Sequence, residues 1–189
     1  MLFRSDESLA AERLARILAT SRYATDLLLQ APEAVSLLAD DEELRPRARA
    51  ALLAEVLTVI ERHEDPVSAV SAIRSIRRRE LFRIAAAELL QLATSEQAAS
   101  SLTDVADAAV EGALRVAQGA VDPVGAVDFS VIGMGRFGGG ELGFGSDIDV
   151  MFVFEPRSGV DETTATRAAT SIAEELRRLL MAPRSEEHT

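Results

Sequence analysis

The chain contains no cysteine, no tryptophan and a single tyrosine. Without cysteine, a disulfide framework and a zinc–thiolate site are both excluded, and a reducing compartment is the default expectation. Lysine is missing too, so all 20 basic residues are arginine, against 31 Asp and Glu. The resulting formal charge of −11 argues against a general grip on nucleic-acid backbone, which needs clustered cations. No uninterrupted apolar stretch approaches the ~20 residues of a membrane span. Met1-Leu2-Phe3-Arg4 is not followed by the apolar run of a secretory signal. These absences predict a soluble, cytoplasmic protein with neither nucleic acid nor membrane as partner.

What the chain does have is alanine and leucine, both strong helix formers, within a 48% hydrophobic composition. Its 189 residues suffice for one or two small domains. Apolar side chains at Leu9, Ala10, Leu14, Ile17 and Leu18 predict a helix from about Glu7 to Thr20. A short helix from Tyr23 to Gln30 stops at Pro32, which can itself open the next, carrying Val35, Leu37 and Leu38. The acidic run Asp40–Glu43 reads as a solvated turn. Ala48 to Arg62 repeats the helical spacing. Asp65-Pro66 suits an N-cap followed by a first helical position, and the apolar face beyond it runs to about Leu92. Ser95–Ser100 reads as a polar break, and Ser101-Leu102-Thr103-Asp104 as a capping box. The helix that follows is expected to end near Gln118, with Gly119 as its cap and Pro123 beyond.

The pattern changes after Asp128. Phe129–Ile132 predicts a short strand, a glycine-rich loop follows, and Ile148–Phe154 predicts a second strand, apolar on both faces and therefore central in its sheet. Glu162–Met181 predicts an amphipathic helix with Ala165, Ala169, Ile172, Leu176, Leu179 and Leu180 inward. The expected fold class is a mainly α N-terminal helical bundle (residues 1–120) followed by a truncated α/β domain (127–183). The hexapeptide Arg184–Thr189 fits neither a helix face nor a strand. One codon choice for it spells a common sequencing-adapter oligonucleotide, so 184–189 reads either as a non-native tail or as an ordinary disordered one.

The chemistry concentrates in the loop. Gly133-Met134-Gly135-Arg136-Phe137-Gly138 matches G-x-G-x-x-G, but a dinucleotide fold needs a full crossover helix after the glycines. Gly138, Gly139 and Gly140 weaken any helix, and the next strand begins too soon. A loop that cradles phosphate through its backbone amides fits better. Arg136 either sets a fixed charge against phosphate oxygens or is a solvated surface arginine. Ser146 either donates its hydroxyl to a phosphate or is a turn residue. Asp147 and Asp149 are two apart, so a strand would aim both the same way. They are either a carboxylate pair capping the turn at the strand start or a cation site. Two such acids repel one another unless a cation sits between them, and magnesium takes oxygen ligands while leaving positions for substrate phosphates. The run Arg77-Arg78-Arg79 reads as a solvated or salt-bridged helix face.

Gly133–Gly139 followed by Glu141-Leu142-Gly143-Phe144-Gly145-Ser146-Asp147-Ile148-Asp149 resembles the signature of glutamine synthetase adenylyltransferases, bifunctional adenylyltransferase/adenylyl-removing enzymes of the nucleotidyltransferase superfamily. Thr20–Tyr23, Leu27–Glu33 and Arg79–Ile84 are similar to segments that precede that family's catalytic domain. The resemblance implies that the truncated α/β domain is nucleotidyltransferase-like. It also implies magnesium-dependent transfer of AMP from ATP to a tyrosine of glutamine synthetase, with reversal by phosphorolysis and regulation through the PII signalling protein. The Glu141–Ser146 wording looks more like the C-terminal, adenylylating copy. Carried over by position, Asp147 and Asp149 are the catalytic and metal-binding carboxylates, and Gly135, Arg136, Gly138, Gly139 and Ser146 surround the phosphates. The family also uses a third carboxylate on a later strand, for which Glu155 and Asp161 are poor substitutes, so this stretch alone is expected to catalyse inefficiently. A helical interaction module with a degenerate nucleotide fold, and a nucleotidyltransferase for another hydroxyl, are the alternatives.

Overall fold

Helices account for most of the chain, and their caps show where the sequence starts and stops them. The structure, a computed structural model, describes residues 3–122 and 125–181; Pro123 and the stretch 182–189 lie outside the described residues. Helix α1 (Phe3–Thr20) meets α2 (Arg22–Gln30) at Ser21, whose Oγ accepts the Ala24 N–H at 3.1 Å. Pro32 then opens a 3-10 helix, Pro32–Ala39, in place of an α-helix. It buries the adjacent Leu37 and Leu38 and leaves Val35 exposed. The expected acidic turn is instead a short helix, α3 (Asp41–Leu44), capped by the Asp40 carboxylate and anchored by the fully buried Leu44.

Helices α4 (Arg49–Glu61) and α5 (Pro66–Leu89) follow. Asp65 caps α5 as its sequence demands, accepting the N–H groups of Val67 at 3.3 Å and Ser68 at 2.7 Å. From Glu80 to Ala87 every residue of α5 is buried. The helix stops at Leu89, short of the expected Leu92, because Gln91 turns left-handed (φ 62°) and the Leu92 N–H donates back to the Ala87 carbonyl at 2.8 Å. This is the helix-ending geometry usually given to glycine.

Helix α6 (Ser95–Ala120) corrects the reading of its own start. Thr94 and Gln97 form the capping box, the Gln97 N–H donating to Thr94 Oγ1 and the Thr94 N–H to Gln97 Oε1. Ser95–Ser100 is therefore the first turn of the helix and not a break. The hydroxyls of Ser101 and Thr103 donate to the carbonyls of Gln97 and Ala99 within it. Gly119 is inside the helix, and Val121 follows its end.

Strand β1 (Val127–Gly133) pairs antiparallel with β2 (Val150–Pro156), in register from Val127↔Pro156 to Gly133↔Val150. β2 thus begins two residues later than predicted, and Asp147 and Asp149 stand in its approach. The expectation of a central strand is corrected: among the described residues the sheet has two strands, and every residue of β2 except Phe152 is exposed. Only one face of the sheet is covered, where Phe129, Val131 and Phe152 pack against the core. The turn helix α7 (Gly135–Gly138) lies between the strands. Helix α8 (Glu162–Met181), capped by Asp161, buries Ala165, Ala169, Ile172, Leu176 and Leu179 as predicted; Leu180 is exposed. One hydrophobic cluster runs from the helices through α8 to β1. The described residues form a mainly α structure with a small antiparallel sheet, and none of the described helices is long and apolar enough to cross a membrane.

A charged knot sits inside the helical part. Glu80, 1% exposed, accepts from Arg83 at 2.8 Å, Arg79 at 3.1 Å and Arg47 at 3.3 Å. Glu55 takes further bonds from Arg79 and Arg47. The predicted arginine run is therefore divided: Arg79 is salt-bridged, whereas Arg77 and Arg78 find no carboxylate among the described residues.

Candidate functional site

The loop between β1 and β2 is built on glycines with separate tasks. Gly135 has φ +53°, and a Cβ added to it would lie 3.6 Å from Asp149 Oδ2. Gly138 is needed for space, since its Cβ would fall 2.3 Å from the Gly133 carbonyl oxygen. The N–H groups of Gly138 and Gly139 donate to the carbonyls of Met134 and Gly135, at 2.9 and 3.0 Å. These two amides are thus committed to the turn itself. The short helix and the antiparallel pairing agree with the rejection of a dinucleotide fold, which needs parallel strands joined by a full helix.

Two buried side chains hold the loop down, Phe137 at 8% and Leu142 at 4% exposure. The Leu142 N–H also donates to Thr103 Oγ1 on α6 at 3.2 Å. At the loop's tip, Phe144 meets Tyr23 of α2 edge-on, with ring centroids 5.4 Å apart. Burial pushes the Tyr23 hydroxyl above its ordinary range, partly offset by the charge of Arg77.

Between these anchors, two polar side chains converge. Arg136 donates through Nε to the Glu141 carbonyl at 2.9 Å, which folds its guanidinium back over Gly143. Ser146 Oγ accepts the Gly143 N–H at 3.1 Å, and the Ser146 N–H returns to the Gly143 carbonyl at 3.1 Å. Accepting that bond leaves the hydroxyl hydrogen free to donate elsewhere. The spot where a Gly143 Cβ would sit is 3.2 Å from Ser146 Oγ and 3.2 and 3.3 Å from the two terminal nitrogens of Arg136. A side chain would fill this recess, whose rim carries cationic and hydroxyl donors. Gly143 was not singled out as a site residue by the sequence, because a need for empty space leaves no mark in local pattern.

Asp147 and Asp149 are both exposed, and among the described residues neither carboxylate has an ion-pair or hydrogen-bond partner. The Asp149 carbonyl accepts the Met134 N–H at 2.8 Å, extending the strand ladder one bond beyond its last pair. Among the described residues no group of three or more His, Cys, Asp or Glu converges. β2 starts at Val150, so strand pleating does not set the direction of either side chain. Carboxylate oxygens with unused lone pairs are the ligand type a hard cation takes while completing its shell with water or phosphate. Glu155 pairs with Asp128 at the far end of the sheet, and Asp161 is a helix cap, so neither stands beside the pair.

Sequence reasoning also missed an open cavity of about 520 Å³ lined by residues of α5, α6, α8 and the sheet together with Ser146 and Asp147, Arg74, Arg77 and Arg177 being among its lining residues. Some 70 residues separate Arg77 from Asp147 in the chain, and no local pattern links them.

Comparison with known proteins finds relatives of the chain. Residues 11–187 match the family model described as glutamate-ammonia ligase adenylyltransferase. Among curated proteins, the chain is 47% identical, over 94% of its length, to the bifunctional glutamine synthetase adenylyltransferase/adenylyl-removing enzyme of Streptomyces coelicolor. It is 45% identical to the proteins of that name from Leifsonia xyli subsp. xyli, over 92%, and Mycolicibacterium smegmatis, over 94%. The chain spans between 17% and 19% of the length of these three relatives.

Proposed function

The chain belongs to the glutamate-ammonia ligase adenylyltransferase family, and on that premise we propose that it carries the metal–nucleotide half of an adenylyl-transfer site. The observation that supports this most is the convergence of Arg136 and Ser146 on the empty recess at Gly143, with Asp147 following Ser146 in the chain and the Asp149 carboxylate beside Gly135. Residues 1–120 form the helical bundle in this reading, and 127–183 the opening of a nucleotidyltransferase domain. Asp147 and Asp149 would hold Mg2+, with ATP as the substrate. Magnesium supplies charge neutralisation for the reacting phosphates. Ser146 donates its hydroxyl to a phosphate oxygen, and Arg136 sets its fork against the same group. Gly135 lets the backbone pass close to Asp149, while Gly138 and Gly139 hold the turn that shapes the cradle.

In the whole protein, the tyrosine oxygen of glutamine synthetase attacks the α-phosphorus of ATP. The bond from that phosphorus to the bridging oxygen breaks, pyrophosphate leaves, and the phenolic proton passes to solvent. Phosphorolysis removes the AMP again by a different route, in which inorganic phosphate attacks the same phosphorus, the tyrosine oxygen leaves and takes up a proton, and ADP forms. The PII signalling protein is the expected regulator. The setting is cytoplasmic. Among the described residues no third carboxylate joins Asp147 and Asp149, so these residues by themselves are expected to bind metal–nucleotide better than they transfer AMP.

Titration calorimetry of ATP with and without magnesium tests the proposal. Asp147→Asn and Asp149→Asn should each weaken the magnesium-dependent component at least tenfold, and Gly143→Ala should weaken it while leaving the thermal midpoint near wild type. Unchanged affinity in both Asn variants refutes the metal site and favours a helical interaction module.

A further inference from the structure

The nucleotide reading leaves a group of arginines without a task. Resting on that reading, we propose that Arg77 and Arg177, supported by Arg74, form an anion subsite for the polyphosphate end of the nucleotide, so that the helical region builds part of the site. The three residues share the wall of the 520 Å³ cavity with Ser146 and Asp147. That volume falls in the range of small-molecule sites, roughly 300–1,000 Å³.

The charges there are not balanced. Three cations face one carboxylate on this wall, in a chain whose net charge is −11. Their neighbours are paired: Arg79 with Glu80 and Arg178 with Glu175. Arg77 and Arg177 have no carboxylate partner among the described residues. Arg74 donates to the last carbonyls of α8, Leu179 at 2.6 Å and Leu180 at 3.0 Å, which are neutral acceptors. Burial, reinforced by the nearby charge of Arg78, pushes the Arg74 guanidinium below its ordinary range. The Arg78 Nε is buried with no acceptor. Residues 74, 77 and 78 occupy one face of α5 by their i, i+3, i+4 spacing. Uncompensated like charges held together destabilise the empty state and favour a multiply charged anion.

Polyphosphate is the anion the geometry favours. Ser146 borders both the cavity and the recess beneath Arg136, so a phosphate chain anchored at its hydroxyl adjoins Arg136 and the cavity that the α5 and α8 arginines line. The arginine fork matches phosphate oxygens two at a time. The rest of the wall is mostly aliphatic, such as Val70, Ile73 and Leu176, which lowers the local dielectric and strengthens each contact.

The test uses inorganic pyrophosphate and calorimetry on the full chain in EDTA. Wild type should bind, with affinity falling as salt rises. The double variant Arg77→Gln/Arg177→Gln should bind at least tenfold more weakly with an unchanged circular-dichroism spectrum. Arg115→Gln, which removes an exposed cation paired with Glu111, should bind like wild type. Absence of wild-type binding, or equal affinity in the double variant, overturns the subsite. Asp147→Asn and Asp149→Asn separate the two readings. If they abolish magnesium-dependent ATP binding while the double variant keeps normal pyrophosphate affinity, the metal–nucleotide site stands and the subsite falls. If the double variant alone loses its ligand, the subsite stands and the metal reading falls.

Discussion

Replacing Gly138 by alanine should be far more damaging than the same change one or two residues later. The added Cβ would lie 2.3 Å from the Gly133 oxygen and 2.9 Å from its carbon. This is at least ~0.7 Å inside the ~3.0 Å floor for a contact with backbone. The carbonyl has little room to yield. Gly133 is paired to Val150, and the next residue's N–H is bonded to the Asp149 carbonyl. Relief must come from α7, at the expense of the Gly138–Met134 bond of 2.9 Å, or from the end of the ladder. Overpacking of this kind costs about 1–3 kcal/mol, and one lost hydrogen bond adds about 0.5–1.5 kcal/mol, giving roughly 2–4 kcal/mol together. Gly140, at φ +75° with open space around it, should cost about 1–2 kcal/mol as alanine, from backbone strain alone. Gly139 has φ −81° and its nearest contact at 3.4 Å. Its alanine should be neutral or stabilising by about 0.4–1 kcal/mol, because the unfolded chain loses freedom. Urea unfolding followed by circular dichroism gives the midpoints. Magnesium–ATP affinity is the second readout, since any shift of Gly133 is passed directly to Asp149. If Gly138→Ala unfolds at the same urea concentration as Gly139→Ala, the close approach of α7 to β1 is not what makes the residue glycine.

Three further outcomes follow from the helical part. Glu80→Ala leaves the buried Arg83 without its carboxylate and should cost about 3–5 kcal/mol in urea unfolding; a loss under ~1 kcal/mol would show that the knot is hydrated. At Glu55, burial opposes ionisation, but hydrogen bonds from Arg47 and Arg79 prevail and hold the carboxyl below its ordinary 4.5. A lowered folded-state pKa stabilises above the unfolded value, and that stabilisation drains away as pH falls below about 4.5 through the folded value. Thermal midpoints between pH 6 and 3 should therefore drop less steeply in Glu55→Gln than in wild type; parallel curves would contradict this. Thr94→Ala removes one half of the capping box on the 26-residue α6 and should cost about 1 kcal/mol, read as a shift in urea midpoint with unchanged slope.

How much of this was legible depended on the reach of each interaction. The Asp65-Pro66 start and the α8 stripe are written within a few residues, and both formed as expected save for the exposed Leu180. Ser101–Asp104 has the composition of a cap, but Thr94 and Gln97 satisfy the helix's first donors seven residues earlier, and buried Ala98 and Leu102 keep the intervening segment helical. Gln91 adopts a glycine-like turn with no glycine to announce it. The alternation in β2 could not reveal that only one face is covered, because that depends on which strands stand beside it. The carboxylate pair and Ser146 were visible as a motif. The folding of Arg136 over Gly143, and the sharing of one cavity wall by the α5 arginines and Asp147, join residues from about 7 to over 70 apart and needed three dimensions.

The two tethers of the glycine loop have a mechanical outcome. Leu142 is tied to α6 through Thr103, and Phe144 leans on α2 through Tyr23. These helices belong to opposite ends of the first 120 residues. If one slides against the other, the displacement is taken up across Gly143, the single residue between the tethers, and with it the clasp to Ser146. A nudge delivered to a remote helix would thus open or tighten the pocket floor, as a lever does a latch.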